Sequence, residues 1–146
     1  IVGMENGKAN VNATTFNRIK AEALVLRAWG YLHLMTWFGD VPFYKAPPAV
    51  NEVLSAKRTP VAAIVADLYK DVDDAVAAFD AAGTAPVQAL GRVNKAAALG
   101  IKAKLALLIK DYRTAATATK TVIDGGQYTL NPNYPNLFSL AGQTTN

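Results

Sequence analysis

Apolar positions recur along this chain with the period of a helix rather than that of a strand. Over 15–38, Leu24, Ala28, Tyr31, Met35 and Phe38 follow one another at spacings of three and four, which sets them on one helical face. Gly39-Asp40-Val41-Pro42 ends that helix, because glycine accepts the left-handed cap and proline forbids continuation. A second helix, over 60–80, is predicted with Thr59 as N-cap and Pro60 in its first position; Ile64, Leu68, Val72, Ala75 and Phe79 form its buried stripe. Its opposite face carries Asp67, Lys70, Asp71 and Asp74. A third helix follows the capping residue Asn94 over 95–110, with Ala98, Ile101, Leu105 and Leu108 turned inward. Asp111-Tyr112 then turns tightly into a fourth over 112–124, whose inner positions are Ala115, Ala118, Val122 and Ile123 and whose stop is Gly125-Gly126.

The connections differ in kind. Almost no loop separates the third and fourth helices, which forces an antiparallel hairpin. The first two are joined by roughly twenty residues containing Pro42, Pro47 and Pro48, and a long connection of this sort is the expected functional surface. After Gln127 the chain is rich in turn residues and aromatics, among them Tyr128, Tyr134 and Phe138, and reads as a docking segment that fades into a polar end.

Composition strengthens the helical reading. The 146 residues are 51% hydrophobic and 18% charged, enough for one domain with a real core, and 27 of them are alanine, the best helix former and one that lets helices approach closely. No apolar run approaches the ~20 residues of a membrane span, and no export signal is visible at the start. The absence of cysteine excludes disulfides, thiol nucleophiles and cysteine zinc sites, and a single histidine, His33, all but excludes a catalytic triad or a two-histidine metal site. The net charge of +4 is uneven: residues 92–120 carry seven Lys and Arg against Asp111, whereas residues 60–80 carry five Asp against Lys70. Such asymmetry reads as attraction between neighbouring helices or steering of a protein partner, with no nucleic-acid partner expected.

Two helical hairpins that cross on small residues are the physics of a tetratricopeptide-type solenoid, so the expected fold is all-α, an alpha-alpha superhelix of tetratricopeptide-like hairpins. Leu99, Ala103 and Ala115 match the spacing at which such repeats place a large residue, a small residue at the crossing and the alanine of the second helix. Lys102 and Thr119 stand where a leucine and an aromatic are usual. A strand-built core, or Ala103 and Ala115 both facing water, would overturn this fold.

Several blocks in register carry a resemblance. Glu22-Ala23-Leu24-Val25-Leu26-Arg27-Ala28-Trp29-Gly30-Tyr31-Leu32, then Phe38-Gly39-Asp40-Val41-Pro42-Phe43, then Arg58-Thr59-Pro60, Asp67-Leu68 and Ala75 are followed by Gly91-Arg92-Val93-Asn94-Lys95-Ala96-Ala97. Asp111-Tyr112, Ala115, Val122-Ile123, Gly126, Tyr128, Leu130 and Leu137-Phe138 complete the series. From about residue 20 to 138 the chain resembles the SusD/RagB family of glycan-binding outer-membrane lipoproteins of Bacteroidota. Members are much longer and begin with a lipidated cysteine, so residues 1–146 read as a single helical-repeat domain from a longer SusD-like protein. The resemblance implies a non-enzymatic nutrient-binding protein, exposed at the outer-membrane surface, that captures oligosaccharides for import through a SusC-like TonB-dependent transporter. It implies no cofactor. Arg27, Gly39, Asp40, Pro42 and Arg92 are the structural motif residues.

The remaining chemistry is sparse. Asp67, Asp71 and Asp74 share a face at spacings that could suit a metal or an acid–base pair, yet with Lys70 beside them they read as a solvated face that can pair with the basic third helix. Arg27 and Arg92 are expected to meet a carboxylate such as Glu22 or Asp67. His33 reads as a core or interface residue with one nitrogen satisfied, Trp29 as core, and Tyr128 and Tyr134 as pins for the tail. Sugar recognition needs flat apolar faces for C–H groups and polar groups for hydroxyls, and Trp37 and Tyr44, flanking the loop with Asn51 and Glu52, are the glycan-binding candidates. Gly125-Gly126 is not followed by the Lys-Ser/Thr of a phosphate loop. Two other functions compete: a peptide- or protein-binding repeat adaptor, with an extended segment held between hairpins, and a nucleic-acid binder acting through Lys95, Lys102 and Lys110.

Overall fold

The computed structural model describes residues 2–83, 91–130 and 132–139. Its helices are α1 (Val2–Asn6), α2 (Ala13–Phe38), α3 (Val50–Leu54), α4 (Val61–Ala81), α5 (Lys95–Leu108) and α6 (Tyr112–Asp124), with single turns of 3-10 helix at Lys8–Asn10 and Tyr134–Phe138. Among the described residues there is no strand, only an isolated bridge between Val41 and Thr59. α2 packs on α4, α5 on α6, and the two hairpins join where α5 meets α4 and α2. The fold is all-α and tetratricopeptide-like, as predicted. Ala103 and Ala115 are buried. The short α1 and α3 were not expected from periodicity: each has only five residues, too few to show a stripe.

Each long helix is bounded by local chemistry. The Asn12 side chain accepts the Thr15 N–H at 2.8 Å to start α2, and the Asn94 side chain accepts that of Ala97 at 2.9 Å to start α5. α5 closes in a Schellman motif: Asp111 N–H reaches the Ala106 carbonyl at 2.9 Å and Lys110 N–H that of Leu107 at 3.1 Å. Lys110 holds the left-handed position of that motif at φ 62°. One residue later the Asp111 carboxylate accepts the Thr114 N–H at 3.1 Å and opens α6, so three residues reverse the chain.

Between α2 and α4 the reversal is longer, and Gly39-Asp40-Val41 clasps it shut. Gly39, at φ 67°, donates its N–H to the Met35 carbonyl at 3.0 Å and ends α2. Asp40 accepts the Val61 N–H at 2.9 Å, and the Val41 carbonyl accepts that of Thr59 at 2.9 Å. The predicted cap is corrected by this arrangement. Pro60, not Thr59, is the N-cap of α4; lacking a polar side chain it makes no cap bond, and Asp40 supplies one from across the loop. Pro42 follows directly in the segment that leads away from the clasp.

The core lies between α2 and α4. Leu24, Val25, Ala28, Leu32 and Met35 meet Ile64, Val65, Leu68, Val72, Ala75 and Phe79, with Ala98 and Leu105 of α5 closing the far side. Burying each large side chain is worth about 1.5–3 kcal/mol, so this seam dominates stability. Three residues assigned inward lie outward. Phe38 is 66% exposed because α2 outruns its partner at the clasp, Ile123 is 75% exposed because only Ala115 and Ala118 of α6 are fully buried, and Trp29 is 52% exposed.

Candidate functional site

Charged side chains on α4 are the first place to look for chemistry, and most are consumed by structure. Asp71, assigned to a solvated face, is only 9% exposed. Arg27 grips it from α2 in a two-pronged pair, Nε to Oδ2 at 2.7 Å and Nη2 to Oδ1 at 2.6 Å, while Nη1 reaches the Lys45 carbonyl at 3.3 Å. The partner is therefore Asp71 rather than Asp67. A helical wheel gives the spacing of Asp71 but not which helix will come to lie against it. Asp67 pairs with Lys45 in the loop at 2.8 Å, and Asp74 is exposed. Lys102 and Lys95 of α5 pair with Asp73 and Asp80 of α4, so the expected attraction between the basic and acidic helices runs through two carboxylates other than the three singled out. Arg92, just after Gly91 at φ 85°, holds Glu22 of α2 by bonds of 2.9 and 2.6 Å.

Two groups that meet at the turn between α5 and α6, Asp111 in the turn and Tyr69 on α4, have shifted titrations. Hydrogen bonds with Thr114, ahead of the Tyr69 hydroxyl and the nearby Arg113 charge, hold the Asp111 carboxyl below its ordinary value. Burial, then the Asp111 charge and their hydrogen bond, push the Tyr69 phenol up to about 12. The Tyr69 hydroxyl donates to Asp111 Oδ2 at 3.3 Å and ties α4 to the second hairpin, a structural link rather than a reactive pair.

Trp37 and Tyr44 open onto different clefts. Tyr44 is half-buried, its N–H donating to the Tyr31 hydroxyl at 3.1 Å, and lines a shallow cleft of about 360 Å³ with Gly3, Ala23, Arg27, Lys45 and Pro47. Trp37 is 78% exposed. It walls a groove of about 620 Å³ between the C-terminal halves of α2 and α5, with Leu32, His33 and Thr36 on one side and Lys104, Leu107 and Leu108 on the other. His33 is on the outer face, not in the core. Its Nδ1 lies 2.9 Å from the Trp29 carbonyl, which can only accept, so Nδ1 carries a proton, and in the uncharged ring Nε2 is the acceptor. The Trp29 ring leans on that imidazole at 4.5 Å between centroids. Lys104 and Leu107 were missed as groove residues. The one sequence signal was a lysine and a leucine at a spacing of three on the outer side of the third helix, which gains meaning only once α2 is known to pass beside it. Tyr128 accepts a hydrogen bond from Asn94 Nδ2 at 2.8 Å, and Tyr134 meets Phe138 edge-on at 5.2 Å. The chain beyond Ser139 lies outside the described residues.

Paired helices locked by arginine clasps define the class: a tetratricopeptide-like helical-hairpin module. The family model described as "Starch-binding associating with outer membrane" matches residues 4–107, and the chain belongs to this SusD-like family. It is similar to SusD-like protein P25 of Formosa agariphila, 27% identical over 121 residues that make up 83% of this chain and 23% of the relative. The crystal structure of a SusD-like carbohydrate binding protein from Bacteroides fragilis superposes with a TM-score of 0.81 at 28% identity, covering 93% of this chain and 26% of that one. A second, from Bacteroides vulgatus, gives a TM-score of 0.68 at 21% identity over 84% of this chain and 27% of that one, a likeness of fold alone. The chain thus spans about a quarter of the length of the proteins it matches. Among the described residues no helix is long and apolar enough to cross a membrane.

Proposed function

We propose that this chain is the helical-repeat part of a non-enzymatic SusD-like protein that captures oligosaccharides at the outer-membrane surface and passes them to a SusC-like TonB-dependent transporter. The observation that carries the reading is the match at 28% identity to a carbohydrate binding protein over 93% of the chain. Trp37 supports it: an indole exposed beside hydrogen-bonding groups offers the flat apolar face on which sugar C–H groups stack. Tyr44, half-buried and tied to Tyr31, is the lesser candidate. A glycosidase would need two carboxylates free to act on one bond, and of the six on α2 and α4 all but Asp74 are engaged by a cation: Glu22, Asp67, Asp71, Asp73 and Asp80. Lys95 and Lys102 are neutralised in the same way, which removes two of the three lysines a nucleic-acid reading needs.

Two measurements test the proposal. Calorimetric titration of a panel of neutral and acidic oligosaccharides into the chain should give saturable binding that Trp37→Ala removes. Affinity purification of the lipidated full-length protein from outer membranes should bring down a TonB-dependent transporter. Binding of neither partner would defeat the assignment, and binding of extended peptides unaffected by sugars would move it to the repeat-adaptor class.

A further inference from the structure

We propose, building on the carbohydrate-binding reading, that the groove between α2 and α5 selects an anionic sugar, with the acid group of a uronate or a sulfate ester seated against Lys104. The argument starts from a gap in the sequence. Residues 23–39, covering the groove-forming part of α2, contain no Asp or Glu, and neither do residues 91–110, which span all of α5. A groove walled by these two helices therefore has no carboxylate of its own.

Its one full charge is Lys104. The other lysines of α5 are spoken for on the α4 side, Lys95 by Asp80 at 2.7 Å and Lys102 by Asp73. Lys104, two residues further along, points round the helix toward α2 and makes no ion pair or hydrogen bond with any described residue. An ammonium in such a place draws an anion from solution. Lysine presents a compact point charge rather than a planar fork, so it suits a carboxylate and a sulfate alike.

The rest of the groove fits a sugar carrying that charge. Trp37, Leu32, Leu107 and Leu108 give an apolar wall for the C–H face of a pyranose. In the uncharged ring, His33 Nε2 is left as an acceptor by the bond from Nδ1 to the Trp29 carbonyl and can accept a hydrogen bond from a sugar hydroxyl. An apolar face, an acceptor and a cation thus line one cleft of about 620 Å³, within the range that holds small ligands. An apolar peptide would cover the wall but leave Lys104 without a counter-charge.

The test compares three oligosaccharides of equal length titrated into the 146-residue chain: a neutral malto-oligosaccharide, an oligogalacturonate and a sulfated oligosaccharide. Wild-type protein should bind one or both acidic ligands more tightly than the neutral one, with an advantage that shrinks as salt is added. Lys104→Gln should cut affinity for the preferred acidic ligand about three- to fivefold, as befits a surface charge pair. It should bring the acidic-to-neutral ratio near one, and Trp37→Ala should abolish binding of all three. Which acidic ligand loses affinity in Lys104→Gln tells a uronate site from a sulfate site. Circular dichroism of both variants verifies that these exposed substitutions leave the fold intact. Neutral binding that depends on Trp37, with no acidic preference, would overturn the inference and leave the carbohydrate reading standing. Acidic binding indifferent to both variants would place the site elsewhere and overturn it too. No binding of any sugar would overturn both, as would a Trp37-dependent dimer seen by sedimentation without sugar binding.

Discussion

The two hairpins solve the same packing problem by different means. α2 and α4 meet through large side chains and a shielded Arg27–Asp71 pair, and their ends are fastened by a clasp of backbone and side-chain bonds at residues 39–61. α5 and α6 meet through alanines, with Ala115 and Ala118 the buried residues of α6, and are held by a three-residue turn with a cap on either side. The first hairpin is stabilised by area removed from water, the second by close approach and local hydrogen bonds. The larger consequence is for the surface. Close approach of α5 and α6 requires little bulk, so α5 keeps Lys104 and Leu107 free to face α2 and build the groove.

The difference can be broken most sharply in the core. Leu68→Ala should cost about 3–4 kcal/mol in urea unfolding, because it empties fully buried volume in the α2–α4 seam, whereas Val122→Ala on half-buried α6 should cost under about 1 kcal/mol. Equal losses would mean that the hairpins share one kind of core. Next in size is the arginine lock. Arg27→Leu should cost about 2–3 kcal/mol by leaving the Asp71 carboxylate shielded without its partner, and adding Asp71→Leu should recover most of that. Asp40→Ala, which removes the cap that reaches α4 across the loop, should cost about 1 kcal/mol.

The smallest effects concern pH and fall where α4 meets the turn into α6. Asp111 has its value lowered by folding, so its contribution is present above the unfolded value of ~3.9 and is lost as pH falls through the folded one. Amide exchange should show α6 loosening before α2 and α4 under acid, and Asp111→Asn should remove that pH dependence. Tyr69 has its value raised, so its contribution is complete below ~10 and is lost as pH climbs toward about 12; Tyr69→Phe should abolish the alkaline step.

Much of this architecture could be read from the chain. Asn94, Gly39 and Asp111 mark helix boundaries by local bonding alone, and the stripes of Leu24, Ile64, Leu68 and Leu105 give the buried faces. Misplacement came at the margins of those stripes. Phe38 and Ile123 keep the helical period but sit beyond the reach of the neighbouring helix, and periodicity reports phase, not how far a partner extends, whereas Trp29 follows the buried Ala28 by one residue and so turns off the stripe. Asp71 was hidden for the converse reason: a charged residue on a polar-looking face became shielded once Arg27 arrived from 44 positions away. Trp37 was visible as an exposed-aromatic candidate, but its groove was not, because the walls come from helices more than sixty residues apart that touch only in the folded chain.

Trp29 and Trp37 are the chain's two tryptophans, so an amide correlation spectrum contains two indole N–H signals, one from the groove and one from about two turns earlier in α2. During titration with a bound oligosaccharide, the Trp37 signal should move saturably, tracking the calorimetric affinity, while Trp29 moves less. A calorimetric isotherm accompanied by a stationary Trp37 signal would contradict the account.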